Sequence, residues 1–101
     1  MYGLFGKFTA QAGQRETLLA HLLEAAAQMK AVEGCLLYVV GRATDDLDGI
    51  WISEVWRSQT DHQGSLALPA TQALITVARP LIAGMSGRVE YEPVGGKGLA
   101  D

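Results

Sequence analysis

The segment 50–56, with the sequence IWISEVW, limits the possible folds of this chain more than any other segment. Its β-branched and aromatic residues favour a β-strand, and Gly49 before it and Ser58 after it are typical of strand ends. Successive side chains of a strand point to opposite faces, and neither face here is polar enough to be solvated. A strand that is apolar on both faces must be covered on both faces. We therefore expect helices on one side of the sheet, a second covering surface on the other, and Glu54 buried among apolar side chains.

The length and composition of the chain fit one globular domain. Of its 101 residues, 49% are hydrophobic and 19% are charged, which supplies enough apolar surface for one core but little for a second. We therefore predict a single domain over residues 1–94. The glycine-rich segment after it predicts a flexible tail over residues 95–101.

Charge, cysteine content and hydropathy indicate which partners and which location this chain has. The net charge of -3, without any cluster of Lys or Arg, argues against nucleic acid, which requires a basic surface. Cys35 is the single cysteine and cannot form an intramolecular disulfide, so we predict a cytoplasmic location. The sequence shows neither a signal-peptide pattern nor a window of membrane-spanning length, so we expect no membrane partner.

Hydrophobic periodicity and turn signals predict the order of strands and helices. The predicted elements are a strand at 2–9, a helix at 14–31, strands at 35–40 and 50–56, a helix beginning after Ser58, a helical stripe at 74–82 that Pro80 kinks or ends, and a strand at 88–92. This order is the ferredoxin-like βαββαβ arrangement of the α+β class, with an antiparallel sheet and helices on one face. The uncovered face would expose a large hydrophobic surface, so we predict a homodimer formed face to face.

An acidic run precedes the third predicted strand. Residues 45–49, with the sequence DDLDG, lack the alternating acids and the closing glutamate of an EF-hand calcium loop. We therefore predict a hairpin turn at this point and no metal site.

Several short motifs resemble one known family over almost the entire chain. They are VEGC at 32–35 leading into an apolar strand, EVWRS at 54–58, the helix with His62, LALP at 66–69, RPLI at 79–82 and the GGKGL tail. With these motifs the sequence resembles the antibiotic biosynthesis monooxygenase domain family, and within it the subgroup assigned as quinol monooxygenases. The resemblance implies a dimeric α+β barrel built from two ferredoxin-like subunits.

The resemblance also implies an activity. It is the oxygenation of a quinol or phenol without flavin, haem or metal, in which the carbanion of a small aromatic substrate donates an electron to dioxygen. A related subgroup degrades haem with a set of asparagine, tryptophan and histidine, but this chain contains no asparagine. The same fold also serves proteins without catalytic activity, so the alternatives are a module that binds small aromatic ligands, a stress-response module, and a pure assembly protein.

Two residues are candidates for proton transfer. His62 is a candidate base, because the ordinary pKa of histidine lies near working pH; the alternative is a histidine on a helix surface. Glu54 is a candidate acid or base with a raised pKa. A buried glutamate is more often paired structurally, and the partners considered for it are Arg57, Arg79 and Arg88.

Four aromatic residues are candidates for contact with a substrate. Trp56 and Trp51 on the third strand can form a wall for an aromatic ligand, although large aromatic residues on a central strand more often belong to the core. Tyr38 on the neighbouring strand and Phe5 on the first strand can complete an apolar cavity between the sheet and the helices. We expect this cavity, if it exists, to open between Trp56, His62 and Tyr38.

Overall fold

The computed structural model describes residues 1–99, which form an antiparallel sheet of four strands with helices on one face. The strand order is β2-β3-β1-β4. The elements are β1 at Tyr2–Ala10, α1 at Arg15–Gln28, β2 at Cys35–Arg42, β3 at Gly49–Trp56, α2 at Gln59–Ser65, α3 at Pro69–Ala78 and β4 at Ile82–Tyr91. The predicted ferredoxin-like βαββαβ fold is confirmed, and the run at 45–49 lies in the connection of an antiparallel hairpin between β2 and β3.

The hydrophobic core lies between the inner strands and α1. Ile50 on β3 and Leu18 on α1 are fully buried, and Ile52 and Leu22 pack into the same cluster. Ile50, Ile52 and Glu54 alternate along β3, so all three point toward the helices. The alternation in the sequence thus places Glu54 on the same face as the core.

The last strand begins earlier than the sequence indicates. The prediction of helix through Ile82 and a strand only from Arg88 was wrong, because β4 starts at Ile82, which pairs with Ala10. Pro80 lies in a short 3-10 turn at 79–81 that follows α3 and ends the helical segment. Gly87 has a φ of 61° and lies where β4 bulges against β1.

The second face of the sheet carries no helix and is largely apolar. The rings of Phe5 and Trp51 stack there, with centroids 4.8 Å apart. Val39 on β2 and Val89 on β4 are 52% and 51% exposed. The pairings of β3 with β1 and β2, and of β1 with β4, place these residues on the side of the sheet opposite Glu54.

Outside the sheet, two features were also expected from the sequence. Within residues 1–99, none of the helices combines the length and hydropathy that crossing a membrane requires. Residues 95–99 of the predicted tail form neither helix nor strand, and residues 100–101 lie outside the described residues. The mobility of the tail stays a prediction.

Truncating a core leucine should test the role of the α1–sheet interface. Leu18 is 0% exposed, so we expect Leu18→Ala to lower the free energy of unfolding by about 2–5 kcal/mol, through lost burial and the cavity left behind. The matched control is Leu47→Ala, the same change at a side chain that is 85% exposed, which should change stability by less than about 0.5 kcal/mol. Urea unfolding measures both. Equal effects of the two substitutions would contradict this assignment of the core.

Candidate active site

A cavity of about 830 Å³ lies between the helix-facing side of the sheet and the helices. Its volume is in the range of pockets for drug-sized ligands, about 300–1,000 Å³. Trp56, His62 and Tyr38 are all among the residues that line it. Glu54 and Phe5 also border it, whereas Trp51 is not part of its lining.

Glu54 is positioned by the pairing of three neighbouring strands. It lies opposite Tyr38 on β2 and Leu4 on β1, so all three side chains are on the cavity side of the sheet. The Nε1–H of Trp56 donates a hydrogen bond to Oε1 of Glu54 at 3.0 Å. The indole of Trp56 is 1% exposed, so this hydrogen bond satisfies a buried donor and orients the carboxyl group.

His62 is positioned by the start of α2. Ser58 caps this helix, with its Oγ accepting a hydrogen bond from the backbone N–H of Asp61 at 3.1 Å. Arg57 binds the carboxylate of Asp61 at 2.8 Å and fixes the same turn from outside. The ring of His62 then packs edge-on against Trp56, with centroids 5.5 Å apart. The helix start capped by Ser58 therefore brings His62 to the end of β3.

The two candidate proton-transfer groups face each other across a short gap. His62 Nε2 is 3.9 Å from Glu54 Oε1, which is too long for a direct hydrogen bond. Both side chains are nearly buried, with 12% and 14% of their areas exposed. A hydroxyl oxygen beside the pair, on its cavity side, could bond to both groups, since two hydrogen bonds of about 2.8 Å are compatible with this separation.

Burial shifts the pKa of each group toward its uncharged form. Desolvation raises the pKa of Glu54, while the hydrogen bond from Trp56 and the charge of Arg88 act in the opposite direction. Desolvation lowers the pKa of His62, and Arg88 lowers it further while Glu90 raises it. The spacing alone would allow an ion pair, but both shifts oppose one. Desolvation outweighs the attraction between the two groups, because water is largely excluded from both, so the uncharged forms are favoured.

Tyr38 supplies a hydroxyl group on the same wall. Burial raises the pKa of Tyr38, and the neighbouring charge of Glu54 raises it further. The phenol therefore keeps its proton over the physiological pH range and can donate a hydrogen bond.

Glu54 forms no ion pair with any of the arginines considered as its partners. Arg57 pairs with Asp61 and Glu33, and Arg88 pairs with Glu90 at 3.1 Å. That expectation was wrong, because Trp56 supplies the hydrogen bond that an arginine was expected to supply.

Sequence reasoning missed a polar cluster next to His62. The hydroxyl of Tyr2 donates to Glu90 Oε1 at 2.8 Å, and Arg88 binds the same oxygen. The ring of Tyr2 lies 5.4 Å from that of His62. Arg88 and Glu90 lie two residues apart on β4 and so share a face, but only the pairing of β4 with β1, distant in sequence, determines which face it is.

Phe5 and Trp51 belong mainly to the other side of the sheet. Phe5 borders the cavity, but its ring stacks on Trp51 on the uncovered face. Lys7 lies beside them, with Nζ 5.8 Å from the center of the Trp51 ring and 2.9 Å from Asp46. The structure thus brings together Glu54, Trp56, His62 and Tyr38 and leaves Trp51 apart from them.

Metal ligands do not converge in the described part of the chain. Among residues 1–99, no three side chains of His, Cys, Asp or Glu form a group that could hold a metal ion.

The chain belongs to the antibiotic biosynthesis monooxygenase family, whose sequence model matches residues 1–77. It is 47% identical to a crystal structure from Chloroflexus aurantiacus J-10-fl described as a "putative antibiotic biosynthesis monooxygenase"; the match covers 98% of each chain with a TM-score of 0.91. A structure of the same description from Deinococcus radiodurans is 25% identical, with 95% of each chain covered and a TM-score of 0.82. A search of curated proteins found no match.

The pKa of Glu54 predicts how stability depends on pH. Burial raises the pKa of Glu54 in the folded state above its unfolded value of 4.5. The contribution of Glu54 to stability is therefore fully present below pH 4.5, where the carboxyl group is protonated. It is lost as pH rises through the folded-state pKa. We expect Glu54→Gln, which keeps an acceptor for Trp56, to be more stable than the wild type at neutral pH. The difference should shrink as pH falls toward 4.5.

Chemical unfolding at a series of pH values measures this difference. The matched control is Glu24→Gln, the same change at an exposed position of α1. It should not increase the free energy of unfolding at neutral pH. A constant gap between Glu54→Gln and the wild type across this range would contradict the buried-carboxyl assignment.

Proposed function

We propose that this protein is a monooxygenase that oxidises a small quinol or phenolic compound with dioxygen and needs no cofactor. The observation that carries the proposal is the pair of Glu54 and His62, whose Oε1 and Nε2 lie 3.9 Å apart among the residues that line a largely apolar cavity. Family membership agrees with oxygenase chemistry, and the cavity volume suits an aromatic ligand.

The reaction balances without an external reductant. For a phenol or quinol with a hydrogen on a ring carbon ortho or para to the phenolic oxygen, deprotonation gives an anion, and that carbon transfers one electron to dioxygen. The resulting radical and superoxide combine through a new C–O bond at the same carbon, and protonation gives a hydroperoxide. Loss of the C–H proton from this carbon then breaks the O–O bond and releases water, leaving a quinone. The substrate loses four electrons and dioxygen gains four, with one oxygen atom entering each product.

In this proposal, His62 takes the phenolic proton. Its lowered pKa keeps the imidazole unprotonated at neutral pH, which is the form a base requires. Tyr38 donates a hydrogen bond to the developing phenolate, and Trp56 packs against the aromatic ring. Glu54, held by Trp56, accepts a hydrogen bond from a second hydroxyl of a quinol.

We also propose that the uncovered face of the sheet forms a homodimer. Phe5, Trp51, Val39 and Val89 place apolar area on this face, and an apolar sheet face of this kind is normally covered. Phe5 and Trp51 then belong to the subunit interface more than to the wall of the cavity. A cytoplasmic location stays a prediction from the single cysteine.

Replacing His62 should abolish most of the proposed activity. We expect His62→Ala to reduce the rate of oxygen uptake with a reactive hydroquinone by about 10²–10⁴, the usual contribution of a general base. The matched control is His21→Ala, the only other histidine, which lies on α1 outside the cavity lining. A Clark electrode measures the rate with a panel of hydroquinones and naphthoquinols.

Two outcomes would contradict the proposal in different ways. Full activity of His62→Ala would remove this residue from the mechanism. Tight binding of aromatic ligands by the wild type without any oxygen uptake would favour the alternative, a non-catalytic module for small aromatic ligands or a stress-response module.

A charge on the uncovered face should separate the proposed dimer. Val39 is 52% exposed, and we expect Val39→Asp to yield a monomer at micromolar concentration, since the carboxylate would be desolvated at the interface. Leu47→Asp, at a residue that is 85% exposed in the β2–β3 connection, is the control and should stay dimeric. Sedimentation velocity measures both. A wild type that sediments as a monomer at this concentration would refute the dimer.

A further inference from the structure

The charged side chains that border the cavity are distributed differently from those of the whole chain. The chain has 8 basic and 11 acidic residues, yet the cavity lining contains Lys7, Arg79 and Arg88 and only one acidic residue, Glu54. Burial moves Glu54 toward its neutral form. In a protein with a net negative charge, the residues that line this cavity thus include more basic than acidic side chains.

Two of these three cations are already neutralised by neighbours. Lys7 pairs with Asp46 at 2.9 Å and lies beside Trp51 on the other face of the sheet. Arg88 pairs with Glu90 at 3.1 Å. Among residues 1–99, Arg79 forms no ion pair and donates no side-chain hydrogen bond; it is an exposed residue that is among those lining the cavity. Arg79 is thus the cation that remains available to a ligand.

Arg79 lies at the opposite end of the cavity from the proton-transfer pair. It follows the last residue of α3, a helix of 10 residues and about 15 Å whose inward-facing residues line the cavity along its length. The same end is fixed by the backbone hydrogen bond from Gln11 to Leu81, at the end of β1. Glu54 lies opposite Leu4, near the start of β1. A ligand that contacts both ends must be longer than a single aromatic ring.

We infer that Arg79 binds an anionic group, such as a carboxylate, at the far end of an elongated aromatic substrate whose hydroxyl lies between Glu54 and His62. The inference rests on the proposed function for the hydroxyl end, whereas the anion end rests on Arg79 alone. Arginine suits this role because its planar guanidinium binds a carboxylate through two parallel hydrogen bonds. A competing explanation is that Arg79 only stabilises the C-terminal end of α3, where a cation interacts favourably with the helix dipole.

A pair of naphthol probes separates these explanations. The first is 6-hydroxy-2-naphthoate, with a hydroxyl at one end and a carboxylate at the other, and the second is its neutral amide, 6-hydroxy-2-naphthamide. Isothermal titration calorimetry on the protein of residues 1–101 gives both affinities, and anaerobic conditions prevent oxidation of the phenols during the titration. We expect the wild type to bind the carboxylate probe more tightly than the amide probe. Arg79→Met should lower the affinity for the carboxylate probe by about tenfold, as for loss of one charge-assisted contact. It should change the affinity for the amide probe by less than about twofold.

The control variant is Lys30→Met, which removes the same charge from an exposed position outside this cavity. It should leave both affinities unchanged, and Arg79→Lys should recover part of the loss. Equal wild-type affinities for the two probes, equal weakening of both by Arg79→Met, or no binding of either probe would overturn the inference. A role limited to the helix end would lower the melting temperature of Arg79→Met without this selectivity.

The same variants distinguish failure of this inference from failure of the proposed function. Arg79-dependent binding of the carboxylate without oxygen uptake on any quinol would refute the oxygenase and keep the anion site. Oxygen uptake that does not depend on Arg79, for anionic and neutral naphthoquinols alike, would keep the oxygenase and refute the anion site.

Discussion

The burial of a carboxyl group on an inner strand is the constraint on which the site depends. Glu54 lies on the core side of β3, where an unpaired charge would be costly. Trp56, two residues later on the same face, has an indole N–H that is buried and equally in need of a partner. Each group satisfies the other, so the cavity contains a carboxyl group that is oriented by a neutral donor and keeps a raised pKa. An arginine partner would have held the same carboxyl ionised.

Much of the fold could be predicted because its signals are local. The alternating pattern of β3, the 3.6-residue period of α1 and the capping motif at Ser58 each depend on a few neighbouring residues. The start of β4 could not be read in this way, because residues 81–87 combine apolar residues with glycines that fit a helix end or a bulged strand equally well. Pairing of Ile82 with Ala10, distant in sequence, decided between them. Tertiary contact overrode local pattern there.

The site was predictable in its residue types more than in its partners. Glu54 and Trp56 are two residues apart on one strand, so alternation puts them on the same face. The helix that starts after Ser58 then brings His62 close to the end of that strand. Trp51 does not line the cavity, because the same alternation places it on the uncovered face, where it stacks on Phe5. The cluster of Tyr2 with Arg88 and Glu90 joins the two ends of the domain, and no local pattern reports such a contact.

The bulge at Gly87 links the two faces of the sheet and fixes which side chains reach the cavity. Met85 lies opposite Phe8, and Glu90 lies opposite Leu4. Phe8 and Leu4 share a face, but Met85 and Glu90 are an odd number of residues apart and would lie on opposite faces of a regular strand. One extra residue in β4 restores the match, and Gly87 adopts the left-handed φ that this requires. A side chain at Gly87 would also crowd Trp51, since its Cβ would lie 3.3 Å from the indole. The glycine therefore serves the cavity and the uncovered face together.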